Sequence, residues 1–174
     1  MLRRLRYLWN FKVVCRGDQC KYARMLGVRI GHNCRILDDA RNVFGSEPYL
    51  VTLGDHVSIT GGVNFITHEG GVWILREQDP DADVFTPIVV GNNVFIGARA
   101  MILPGVKIGN NVIVAGASVV SRDVPDDCIV GGIPAKVIGT TDDFIAKVSP
   151  DLVRVRSLSA EQKQKFLLAR FHLD

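Results

Sequence analysis

Four histidines, His32, His56, His68 and His172, are the side chains of this sequence suited to moving a proton near neutral pH. No two of them lie four or five positions apart, and Cys15, Cys20, Cys34 and Cys128 form no CxxC pair. The spacing therefore offers no zinc site, and the cysteines read as reduced, largely buried thiols. What remains is acid–base work by one imidazole. His32 (IGHNCR) and His56 (LGDHVS) fall at turn positions, and His172 lies in a C-terminal helical stretch. His68 differs: it opens the irregular, acidic segment HEGGVWILREQDPDADVF. A lone histidine by itself reads as structural; its place in the chain is what singles it out. The carboxylates Glu69, Glu77 and Asp79 of the same segment are the next candidates for a base.

The element that must position His68 is a repeat. From Val90 the chain reads VGNNVF, IGARAM, ILPGVK, IGNNVI, VAGASV, VSRDVP. The first place of each six is Val or Ile, the fifth is small or β-branched, and Gly and Asn crowd the places between. The frame recurs upstream as LGDHVS, ITGGVN and FITHEG, and in part as IGHNCR. One such unit is a short strand and a turn; it buries its aliphatic residue only when successive coils stack. The Gly and Asn supply the positive φ that sharp corners need. The frame runs 53, 59, 65 and then 84, 90, 96, and the step from 65 to 84 is one residue more than three sixes. The segment from about 69 to 83 is therefore expected to leave the wall as a loop. Loops held on rigid walls are where sites are commonly built.

The hexads, together with IGNNVIVAGASVVSRDVPDDCIVGGIPAKVIG, resemble the hexapeptide-repeat acyltransferases, in the galactoside, maltose and polysaccharide O-acetyltransferase branch. The resemblance covers about residues 30–139. It implies a left-handed parallel β-helix with three hexads per coil, so the expected fold is all-β, with the protruding loop read from the frame and short helices at the ends of the chain. It also implies a homotrimer with sites between subunits, acetyl-coenzyme A as acyl donor, and a sugar or amino-sugar acceptor; the lack of a histidine cluster leads to the expectation that no metal is required. The family places its catalytic histidine just before such a loop, which gives His68 the role of general base.

By the same carry-over, Ala98 in FIGARA and Gly116 in VAGAS flank the pantetheine arm, Ser121 and Arg122 in VVSRD line the next coils, and Lys136 in GGIPAKVIG stands near the nucleotide. Phosphates call for such cations. Phe95 occupies the place of a Trp common in related enzymes and lacks its indole N–H. Asn64, Glu69, Trp73 and Arg76, around the start of the loop, are the expected acceptor-facing residues.

The chain is read as one acyltransferase domain, 1–174: an N-terminal segment 1–29, the β-helix 30–139 and a helical extension 140–174. Its formal charge of +3 gives no reason to expect nucleic acid. The basic N-terminus lacks a continuous apolar run and a small-residue cleavage site, which reads as a retained, cytoplasmic chain. Leu2, Leu5, Leu8 and Trp9 share one helical face. The favoured reading is a helix packed on its own domain or a neighbour; the second is a helix on a membrane surface. Ser159 and Gln162 have capping-box spacing for a terminal helix, expected to cover the open end of the coil or contact a neighbour. Against sugar O-acetylation stand three rivals: N-acetylation of an amino sugar, a carbonic-anhydrase-like zinc enzyme, and a non-enzymatic scaffold.

Overall fold

The computed structural model describes residues 9–173. Its wall is built by the hexads as read. The first-place residues Val90, Ile96, Ile102, Ile108, Val114 and Val120 are at most 3% exposed. The fifth-place residues Val94, Ala100, Val106, Val112, Ser118 and Val124 are buried beneath them. Ser118, the polar member, accepts the Gly132 N–H at 3.2 Å, so its burial leaves no unmet hydrogen bond.

The strands visit three faces in rotation. The first face stacks β1 (Arg29–Ile30), β3 (Val51–Leu53), β6 (Ile88–Val90) and β9 (Lys107–Ile108). The second stacks β2 (Arg35–Ile36), β4 (Ser58–Ile59), β7 (Phe95–Ile96), β10 (Ile113–Val114) and β12 (Cys128–Gly132). The third stacks β5 (Asn64–Phe65), β8 (Met101–Ile102) and β11 (Val119–Val120). All these pairings are parallel. β13 (Ala135–Thr140) then turns back antiparallel on β12 and takes up the open edge of the second face.

The corner between the first and second faces shows why Asn recurs. His56, Asn93, Asn111 and Asp127 stack there with φ between 53° and 58°. Their side chains bond in series: His56 Nδ1–H donates to Asn93 (2.8 Å), Asn93 to Asn111 (2.9 Å) and Asn111 to Asp127 (2.8 Å). Asn combines tolerance of left-handed backbone with a donor and an acceptor, so each corner ties to the next. His56 is thus a structural corner residue, and His32 donates its backbone N–H to Asp55 in the neighbouring column.

The first coil differs from the rest. Where a third-face strand would run it carries a short helix, so the helices are α1 (Gln19–Leu26) and α2 (Ala40–Phe44). Asp18 and Asp39 cap their N-termini. Phe44 of α2 closes the coil against Phe65, with ring centroids 5.3 Å apart. Before α1, the turn Trp9–Val14 buries none of its side chains. Packing of the expected N-terminal helix therefore reduces, within the described residues, to the partly buried Phe11; Leu2, Leu5 and Leu8 lie outside them.

The wall resumes later than the frame put it. The third upstream hexad keeps Phe65 and Thr67 buried, whereas Glu69, its fifth place, is exposed. Val84, which the frame put at a first place, is 49% exposed; the wall resumes at Ile88. Frame arithmetic alone cannot see this, because an extra stretch at a corner need not be a multiple of six.

The chain divides into two compact units at Asp142/Asp143. α3 (Thr141–Val148) crosses that point, and α4 (Ala160–Phe171) belongs to the second unit. α4 carries the capping box expected of it, Ser159 with Gln162. Among the described residues no helix is long and apolar enough to cross a membrane.

The ladder makes a direct stability prediction. Ile96 is fully buried between Ile59 and Val114 in the register of the second face. Ile96→Ala should cost about 2–5 kcal/mol, since close-packed coils above and below cannot collapse into the gap. Urea unfolding measures it; a loss under about 1 kcal/mol would mean the ladder is slack.

Candidate active site

His68 stands at the corner where the third face passes to the first, just after β5. In the preceding coil the chain turns the same corner through Glu47, between α2 and β3. The stacking brings the two together: His68 Nδ1 lies 2.9 Å from Glu47 Oε2. Thr67 Oγ1 donates to the same oxygen at 2.9 Å. Burial is the largest single influence on Glu47 and would raise its pKa. The hydrogen bonds from His68, Thr67 and Ser46 and the charge of His68 outweigh it, and its pKa is lowered. A carboxylate accepts and does not donate, so Nδ1 carries the proton in neutral His68 and Nε2 holds the lone pair. The Glu47 side chain is 14% exposed and that of His68 41%, so the imidazole is the member within reach of a substrate.

The loop leaves and returns beside this pair. His68 and Phe85 form an antiparallel bridge. Glu69 N–H donates to Val84 O at 3.0 Å and Thr86 N–H to Thr67 O at 2.8 Å. The Phe85 ring stands edge-on to the imidazole at 6.3 Å. Glu69, the sequence neighbour of His68, accepts from Gly71 N–H and caps the 3₁₀ turn Gly70–Leu75. Arg76 is held inside the loop by Asp83 Oδ2 (2.8 Å) and Ala82 O (3.1 Å). Trp73, 72% exposed, shares a hollow of about 440 Å³ with Ile74, Arg76 and Glu77. Asn64 is exposed on β5 and donates to Gly62 O. A hollow of about 460 Å³ along α4, beside Leu167, Leu168 and Phe171, holds no histidine or carboxylate.

The coenzyme candidates are divided between this corner and others. Ala98 and Gly116 lie at the corner between the second and third faces, both exposed. Side chains there would collide: a Cβ on neighbouring Gly97 would come 2.5 Å from Gly116 N, and one on Gly116 3.2 Å from Ala98 O. The result is a narrow strip of small residues with backbone within reach, which fits a thin amide-bearing ligand such as pantetheine. Ser121 and Arg122 are exposed at the corner His68 occupies, two coils further along. Lys136 is exposed on β13, opposite Gly131. One chain thus carries the imidazole and the small-residue strip on different corners. Among the described residues no group of three His, Cys, Asp or Glu is placed to hold a metal.

Glu47 is the residue sequence reasoning missed. The regular coil brings Asn92 onto Asn110, 18 positions on. His68 meets Glu47 at a separation of 21, because the helix α2 stands in the first coil in place of a hexad. No period in the sequence links the two.

A protein-family model, bacterial transferase hexapeptide (six repeats), matches residues 87–122. Protein CapG of Staphylococcus aureus is 50% identical over 148 residues, 85% of this chain and 86% of that protein. The solved structure of a galactoside acetyltransferase in complex with coenzyme A aligns with 83% of this chain and 82% of its own, at 25% identity and TM-score 0.60. The hexapeptide-repeat acetyltransferase VCA0836 of Vibrio cholerae, complexed with acetyl-coenzyme A, aligns at 33% identity and TM-score 0.57, over 66% of this chain and 61% of its own. The chain belongs to the hexapeptide-repeat acyltransferases, whose wall is the left-handed parallel β-helix. It is an enzyme of that class.

Proposed function

We propose that this enzyme transfers the acetyl group of acetyl-coenzyme A to a hydroxyl of a sugar, one belonging to a cell-surface polysaccharide or its precursor. The observation that carries the reading is the Glu47–His68 pair at the root of a loop, which in the neutral ring puts the proton on Nδ1 and the lone pair on Nε2. Nε2 takes the proton of the acceptor hydroxyl as its oxygen attacks the thioester carbonyl. The tetrahedral oxyanion collapses, the C–S bond breaks, and the imidazolium returns the proton to the departing thiolate. The products are the sugar acetate and free coenzyme A. Backbone N–H groups at a neighbouring coil corner suit the oxyanion. Glu47 holds the ring and offsets the imidazolium charge.

The donor lies along the strip at Ala98 and Gly116, with Ser121, Arg122 and Lys136 as its polar and cationic contacts. Because the strip and His68 occupy different corners of one chain, the complete site needs two chains, and a trimer of parallel walls supplies three such sites. The segment 69–83 projects beside each site and reads the acceptor through Asn64, Glu69, Trp73 and Arg76. An aromatic face such as Trp73 suits the apolar face of a pyranose, and Arg76, already fixed by Asp83, can present its remaining N–H groups in one orientation.

A thiol-release assay with acetyl-coenzyme A over a panel of sugars and amino sugars tests this. Acetyl esters that alkali removes are the expected products. Amides formed on amino sugars would replace the reading with N-acetylation, and absence of transfer to every glycan would remove it.

A further inference from the structure

At the N-terminal end of the wall, an apolar cluster and unpaired cations occur together. Trp9, Val13 and Val14 are 62%, 53% and 56% exposed, although each belongs to an ordered helical turn. Lys12, Arg16 and Lys21 are exposed in the same stretch of chain, and none makes an ion pair among the described residues. From residue 9 to 37 the sequence has six Lys or Arg and one acid, Asp18. That acid is turned onto the Cys20 and Lys21 N–H groups as the cap of α1. Arg24, Arg29 and Arg35 bond the wall itself, through Ile30 O, Thr52 Oγ1 and Ser58 Oγ. The three free cations have no such task.

A face made only for water has no need of Trp9, Val13 and Val14 all exposed within one helical turn. An isologous contact of this face with the same face of a second copy would bring like charges together without compensation. An indole and aliphatic side chains fringed by Lys and Arg match the boundary of a bilayer, where indole settles at the headgroup level and cations meet anionic lipids. We propose that this end of the protein docks on an anionic membrane surface through Trp9, Val13 and Val14, held by Lys12, Arg16 and Lys21. The contact is peripheral and depends on salt. It is independent of the acyl-transfer reading, because it is read out as binding.

The test is co-sedimentation of the full chain with phosphatidylcholine vesicles, with and without a third of phosphatidylglycerol. The protein should pellet with the anionic vesicles alone and be released by added salt. Lys12→Ser, Arg16→Ser and Lys21→Ser together should weaken binding about a hundredfold, since each cation near an anionic surface contributes about fivefold. Trp9→Ser with Val13→Ser should weaken it about tenfold or more. An unchanged urea midpoint shows that these variants fold. With Trp73→Phe, Trp9 is the one remaining tryptophan, and its emission should shift to the blue on adding anionic vesicles. Equal pelleting of parent and charge variant overturns the proposal. So does Trp9 emission that is already blue without lipid and reddens on dilution, because a second copy of the chain then covers the face.

Discussion

His68→Asn is expected to lower kcat by about 10²–10⁴-fold, the usual range for a positioned general base. The KM for acetyl-coenzyme A should stay close to wild type, because the strip at Ala98 and Gly116 lies on another corner of the chain. Asn can still donate to Glu47 but cannot take a proton at neutral pH, so the fold is kept while the chemistry is lost. Mixing this variant with one blocked at the strip, such as Gly116→Trp, should restore part of the activity if each site draws on two chains. Inactive mixed assemblies would place the whole site in one chain. Wild-type turnover in His68→Asn would move the search for the base to Glu69, Glu77 and Asp79.

The second large effect is expected at Glu47. Removing the carboxylate frees the ring to turn and leaves the transient imidazolium without its counter-charge. Glu47→Ala should therefore cost about 10²–10³-fold in kcat, less than the 10⁴ seen where the orienting acid of a triad is deeply buried. Glu47→Gln, which can still accept from Nδ1–H, should fall between. A merely structural Glu47 would lower thermal stability without this ordering in kcat. The group also sets an acid limit. Its folded pKa lies below the unfolded one, so its contribution to stability is present above the unfolded value and is lost as pH falls through the folded one. Urea midpoints measured down an acid series should converge for wild type and Glu47→Gln at the low end. Midpoints that stay apart would mean the Glu47 charge is not what the pair supplies.

Much of this architecture was legible because a hexad has little freedom. An aliphatic side chain every six residues must face inward, and Gly or Asn between them must turn the corner, so Val90 to Val124 fall where the sequence puts them. His68 was legible by position, as the residue at which that regularity stops. Its partner was not. Glu47 reaches it through α2, an irregular coil whose length follows no period, and the adjacent Glu69 is occupied with a cap. The loop's far end was misplaced for a related reason: Val84 matches a ladder residue in type, but its backbone pairs with Glu69 at the neck.

The loop enters at a corner of the wall. Asp55 meets Asn92 across 37 positions, against 18 for Asn92 and Asn110, so the coil absorbs 19 additional residues without shifting any strand out of register. One residue added inside a strand pair would turn its inward side chains outward. A lengthened corner costs only slowly growing closure entropy. The corner segment is therefore a separable cassette: under the proposed reading, loops of other lengths grafted between Thr67 and Thr86 should change which acceptor is used while the wall melts where it did before.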